Sequence, residues 1–185
     1  MKRVKKILKY LGIIIIIMIL FRGFLCRTFI YYSKIDSRVE ITLTDQKLIS
    51  EIDNQLSGKT LEISEIVDLS RKISRQRLAF TFENVSSNPN GLSTLRNANC
   101  VGYSSLFNSI GNYILKKQNM TETYKFNHLV GKLDCLGMDI HDFINHPFFK
   151  DHDFNEIVDL RTGKKTFVDP SLNDYLRITT VSCKE

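Results

Sequence analysis

Hydrophobic and polar positions alternate in several distinct patterns along this chain. Residues 10–21, YLGIIIIIMILF, form an uncharged apolar run of 12. Further on, Leu48, Ile49, Ile52 and Leu56 recur at helical spacing behind Thr44, a candidate cap, and the pattern stops at Ser57-Gly58. A second helix is predicted over about 62–76, with Ile66, Leu69 and Ile73 on one face. LAFTF (78–82) alternates as a strand does, and NVSSNPNGLSTLRNAN (84–99) has the composition of a loop. The clearest helix runs from Cys100 to about Lys117, where Tyr103, Leu106, Phe107, Ile110 and Ile114 make one continuous apolar stripe. YKFNHLVGKL (124–133), FNEIVDL (154–160) and KTFVD (165–169) follow as strands, with LRTGK (160–164) as the turn between the last two. A long helix followed by antiparallel strands, with smaller helices ahead, predicts an α+β domain.

Composition supports one packed domain: 185 residues with 43% hydrophobic positions exclude disorder throughout. The net charge of +6 is unevenly placed. Residues 1–34 carry eight Lys and Arg with no acid, and residues 35–185 sum to −2. Cations beside a greasy segment do not make a phosphate-binding face, so nucleic-acid binding is not expected. The apolar run is shorter than the ~20 residues of a bilayer span, but Lys5, Lys6, Lys9, Arg22 and Arg27 can snorkel and lengthen it. Signal-peptide cleavage wants small residues at the −3 and −1 positions, and RGFLCRTFIYYS after Phe21 offers no such pair. Bulky Leu25 before Cys26 argues against a lipoprotein-type site. The segment therefore reads as an uncleaved signal anchor, a single-pass transmembrane helix. The basic Met1–Lys9 end stays in the cytoplasm and the domain lies outside it, periplasmic or at the cell surface. The expected division is 1–33 basic tip and anchor, 34–60 linker and short helix, and 61–185 domain.

The chemistry-bearing residues are few. Cys26, Cys100, Cys135 and Cys183 lack metal-ligand spacing, so neither a metal nor a cofactor is expected. Cys135 and Cys183 could pair in an exported domain, and burial as small hydrophobes is the simpler expectation. Cys100 stands apart because it opens the best helix. Unpaired N–H groups and the helix dipole favour a thiolate there and could receive an oxyanion. A thiolate needs a His, and the His an orienting acceptor. His128 reads as a strand-face residue, and His141 and His146 are assigned no role. His152 opens a strand whose return strand ends at Asp169-Pro170. A five-residue loop Asp159–Gly163 brings His152 within one residue of direct opposition to Asp169, whereas a Thr162-Gly163 turn sets it against Asn173.

ANCVGYSSLF (98–107), HDFNEIV (152–158) and FVDPS (167–171) together resemble the three motif blocks of the transglutaminase-like superfamily. The resemblance covers roughly residues 75–175. It implies a papain-like α+β fold, with a nucleophile helix packed on an antiparallel sheet. It makes Cys100 the nucleophile, His152 the general base and acid, and Asp169 the residue that orients the imidazole. The implied activity is thiol-dependent acyl transfer on a peptide or protein amide substrate, ending on water or on an amine. The alternative is a membrane-anchored interaction domain that keeps the fold without activity. This chain departs from the family at Phe154, where Trp is frequent, and at Ala98, where Gly is. Candidate side-chain oxyanion donors are Gln76, Asn97 and Asn99.

Overall fold

In the computed structural model, which describes residues 2–143 and 150–184, the amino-terminal segment is two helices rather than one. These are α1 (Lys2–Leu20) and α2 (Arg22–Phe29), bent by 75° where they meet. Among the described residues no single helix is long and apolar enough to cross a membrane; α1 and α2 reach that length and composition only together. The bend has a local cause. Arg22, the first residue of α2, donates from Nε to the Leu176 carbonyl, and Cys26 is buried among Tyr32, Leu129, Phe154, Ile178 and Val181. Docking of α2 on the body of the protein sets its direction, and α1 projects away with its apolar residues exposed.

The chain then enters β1 (Ile30–Ser37), which pairs with strands from the far end of the sequence. The expected boundary at 33/34 thus falls inside a central strand, and the expected linker begins in the sheet. IYYSKIDS carries no strand alternation, because only Tyr32 is fully buried. Helix α3 (Gln46–Leu56) forms where predicted, capped by Asp45 rather than Thr44, with its carboxylate accepting from the Lys47 and Leu48 amides. Helix α4 (Ile63–Arg77) starts on a capping box between Glu62 and Glu65. The strand expected over 78–82 is reduced to β2 (Ala79–Phe80). The presumed loop 84–99 holds helix α5 (Pro89–Leu95), which Asn88 caps and Pro89 opens, and β3 (Asn97–Ala98), parallel to β2. The Asn, Ser and Pro content that suggested a loop is capping chemistry for a short helix.

Helix α6 (Cys100–Lys117) buries its whole predicted stripe. It packs on β4 (Tyr124–Cys135), whose far end bends back as β5 (Met138–Asp139) and a 3₁₀ turn (Ile140–Phe143). Strands β6 (His152–Asp159) and β7 (Lys165–Val168), helix α7 (Pro170–Leu176) and β8 (Ser182–Lys184) complete the chain. The sheet order is β7-β6-β4-β1-β8 with β5 beside β4, antiparallel except for the β1–β8 pair. One face, with Phe126, Ile157 and Val168, meets α3, α4 and α6 in the main core; the other buries Tyr32, Leu129 and Phe154 under α2 and the carboxy-terminal segment. The protein is therefore a mixed α+β fold.

Two devices hold α6 at a defined height on the sheet. Gly111 lets the Phe126 ring approach to where a Cβ would stand, 2.5 Å away. A seam of asparagines is the other: Asn108 donates to Asn155 (3.2 Å), Asn155 to the Ser104 carbonyl (3.2 Å), and Asn112 to the Phe126 carbonyl (3.0 Å). Buried amides so satisfied resist sliding, because any shift strands polar groups.

Candidate active site

Cys100 is the first residue of α6 and is 5% exposed. The Asn99 side chain accepts from the Val101 and Gly102 amides, and its carbonyl accepts from Tyr103. The β2–β3 pairing delivers the chain to this point, and Ala98 Cβ lies against Gly102 so closely that a Cβ there would sit 2.8 Å away. His152 opens β6 opposite Gly131, with 18% of its side chain exposed. Asp169 follows β7 and caps α7. The hairpin register pairs Asn155 with Val168, between the two alternatives the sequence allowed. Carried one step further, it sets Asp169 level with Phe154, two residues from His152 on the same face of the sheet. The reach is diagonal, and His152 Nε2 lies 2.6 Å from Asp169 Oδ2.

Cys100 and His152 line one cavity of about 520 Å³, close enough for the sulfur to act on the imidazole by charge and hydrogen bonding. Nε2 is occupied by Asp169, which leaves Nδ1 as the ring nitrogen for the thiol. The three predicted residues thus meet at one point.

The carboxylate is the best-held group in the site. Oδ2 accepts from Tyr32 Oη (2.7 Å) and His152, and Oδ1 accepts from the Ser171 amide (2.9 Å), Ser171 Oγ (2.6 Å) and the Leu172 amide (3.1 Å). Burial alone would raise Asp169, but the charge and hydrogen bond of His152, then Ser171 and Tyr32, hold it below the usual carboxylate range. Burial alone would lower His152; the Asp169 charge and hydrogen bond, with Cys100 adding to them, push the imidazole well above its ordinary value. The Tyr32 ring meets His152 edge-on at 5.8 Å and Phe154 at 5.0 Å, closing one side of the imidazole.

A second charged cluster sits beside the first. Asp153, fully buried, accepts from Arg38 Nε (2.5 Å) and Nη2 (3.0 Å), and its Oδ2 lies 2.6 Å from His128 Nε2. Burial would raise Asp153, and these partners hold it low instead. The Asp153 hydrogen bond pushes Arg38 up, and the charges of Asp151 and Cys100 act on it in the same direction. His128 is therefore a buried hydrogen-bonding partner of Asp153. Tyr32, Ser171, Arg38 and Asp153 are the site's unpredicted members. Asp153 carries a signal, a second acid beside His152; Tyr32 and Arg38 lie in stretches whose sequence reads as anchor and linker.

Gln76 and Asn97 are exposed, and neither they nor Asn99 lines the cavity. Cys135 and Cys183 form no disulfide and lie on strands that flank β1 on opposite sides, opposite Ile30 and Tyr32. Two strand spacings, roughly 9–10 Å, exceed the reach of a disulfide. Among the described residues no three His, Cys, Asp or Glu side chains gather as metal ligands. His146 and the His141 side chain lie outside the described residues. No protein family, curated protein or solved structure matches this chain.

Proposed function

We propose that this protein is a membrane-tethered thiol acyltransferase of papain-like, transglutaminase-like type, acting on peptide or protein amides. The observation that carries the reading is the convergence of Cys100, His152 and Asp169, with the imidazole clamped between sulfur and carboxylate. Cys100 sulfur attacks the carbonyl carbon while its proton rests on His152 Nδ1, the ring held in its charged form by Asp169. The developing oxyanion meets the Cys100 N–H at the helix start, since Asn99 already takes the Val101 and Gly102 amides. His152 then gives the proton to the leaving amine, and a thioester remains. Water, deprotonated by the same ring, releases the acid and restores the thiol; a substrate amine in its place gives a new amide. Asp169 stays ionised throughout and holds the tautomer. The exposed apolar face of α1 supports membrane attachment, with the basic end on the cytoplasmic side.

The test is alkylation by iodoacetamide at pH 6, mapped by mass spectrometry. Cys100 is expected to react far faster than glutathione, and His152→Ala to remove that advantage. A rate unaffected by His152→Ala would refute the pairing.

A further inference from the structure

The cavity that holds Cys100 and His152 has a marked asymmetry. Among the described residues its polar lining groups are Asp151, His152 and Ser171, with the Cys100 thiol and the Tyr175 hydroxyl. The rest is hydrocarbon. Phe80 meets Phe82 edge-to-face at 5.2 Å and Tyr175 at 5.4 Å, a wall of three rings, and Leu133, Leu172 and Leu176 stand among the other lining residues. Among the described residues no Lys or Arg lines it. The Ser171 hydroxyl is already committed to Asp169, as is His152 Nε2.

We propose that this cavity receives the substrate side chain next to the scissile amide, and that it selects a large apolar side chain, aromatic or branched aliphatic. The inference rests on the acyl-transfer reading of Cys100 and adds the substrate class. A volume of about 520 Å³ accommodates a side chain of that size with room to spare. Aromatic rings gain from edge-to-face contact with Phe80 and Tyr175 as well as from burial. A glutamine or glutamate side chain would lose its water among walls that are mostly hydrocarbon, with the Tyr175 hydroxyl as the one side-chain donor among the aromatic lining residues. The acyl donor is thus an apolar residue, and glutamine donors are disfavoured.

The experiment compares alkylation of Cys100 in the full chain by iodoacetamide and by its N-substituted forms. The substituents are 2-phenylethyl, 2-carboxyethyl, 2-carbamoylethyl and 2-aminoethyl. Each rate is divided by that reagent's rate with glutathione, which removes intrinsic reactivity. The phenylethyl reagent is expected to gain about tenfold to a hundredfold over iodoacetamide, the range that apolar pocket filling supplies, and the polar reagents none. Phe82→Asp and Tyr175→Asp, both at exposed positions (64% and 57%), should each cut the phenylethyl-to-iodoacetamide ratio toward one. Using a ratio within each variant cancels any general loss of reactivity. Equal ratios for all reagents, a gain for the carbamoylethyl or aminoethyl reagent, or a phenylethyl gain that survives both variants would overturn the proposal. Failure of the parent reading shows differently, as plain iodoacetamide reacting with Cys100 no faster than with glutathione.

Discussion

Asp169 accepts from five groups, enough to fill the roughly four lone-pair sites of a carboxylate's two oxygens. It therefore joins three jobs: capping α7, holding the Tyr32 hydroxyl and orienting His152. Asp169→Ala would leave the buried phenol and the imidazole without their acceptor, at a cost of about 3–5 kcal/mol, read from the urea midpoint. Asp169→Asn keeps a capping oxygen but loses the charge that raises His152, so Cys100 alkylation at pH 6 should fall at least about tenfold, a typical loss when an acid–base partner is disturbed. The paired shifts also fix a pH dependence. Asp169 is lower folded than unfolded, so its contribution is present above about pH 4 and is lost as pH falls from there toward its folded value. His152 is higher folded, so its contribution is complete below about pH 6.5 and is lost as pH rises through its folded value. The stability gap between the parent and His152→Gln should thus be widest between those limits and shrink at alkaline pH. A gap that widens toward alkaline pH in urea titrations would contradict this.

Among the elements, β4 carries the tightest fit. Gly131 lies opposite His152, and a Cβ there would stand 2.6 Å from the Ser33 carbonyl oxygen and 2.7 Å from the Phe154 ring. The carbonyl is backbone of the neighbouring strand and cannot turn aside. Gly131→Ala should therefore cost about 1–3 kcal/mol and displace His152, seen as slower Cys100 alkylation. Gly91→Ala is the contrast: it lies in α5 with nothing within 4 Å of the added carbon, so stability should rise slightly or hold. The sequence signal at this scale was strongest wherever it was local. The Tyr103–Ile114 stripe marked α6 because residues three and four apart share a face. It was weakest for β1, β8 and α7. β8 is too short for a period, β1 buries one residue fully, and α7 depends on a cap that also serves the site.

For the whole molecule, the decisive contrast is between α1 and α2. Residues Ile13–Leu20 are exposed over 41–70% of their surface, whereas Cys26 is 7% exposed within the second core. Removal of residues 2–21 should leave a folded protein with the same Cys100 reactivity that no longer sediments with membranes. Removal of residues 2–29 uncovers Tyr32 and Val181 and should lower stability by about 1–3 kcal/mol. Denaturation midpoints and membrane fractionation of the two truncations check both statements.

The identity of Cys100, His152 and Asp169 as candidates, the α6 helix and the α+β class were legible in the linear chain, because each rests on neighbours within a few residues or on one hairpin. The rest came from contacts between distant segments. Tyr32 reaches Asp169 across 137 positions and Arg38 reaches Asp153 across 115, and no periodicity encodes such a pairing. The two-faced sheet likewise turned the presumed anchor boundary into a central strand, because β1 gains its place from β4 and β8 and not from its own alternation. Local patterns record which side of an element is apolar. Which elements meet, and therefore what a side chain touches, is set by how those apolar sides close over one another.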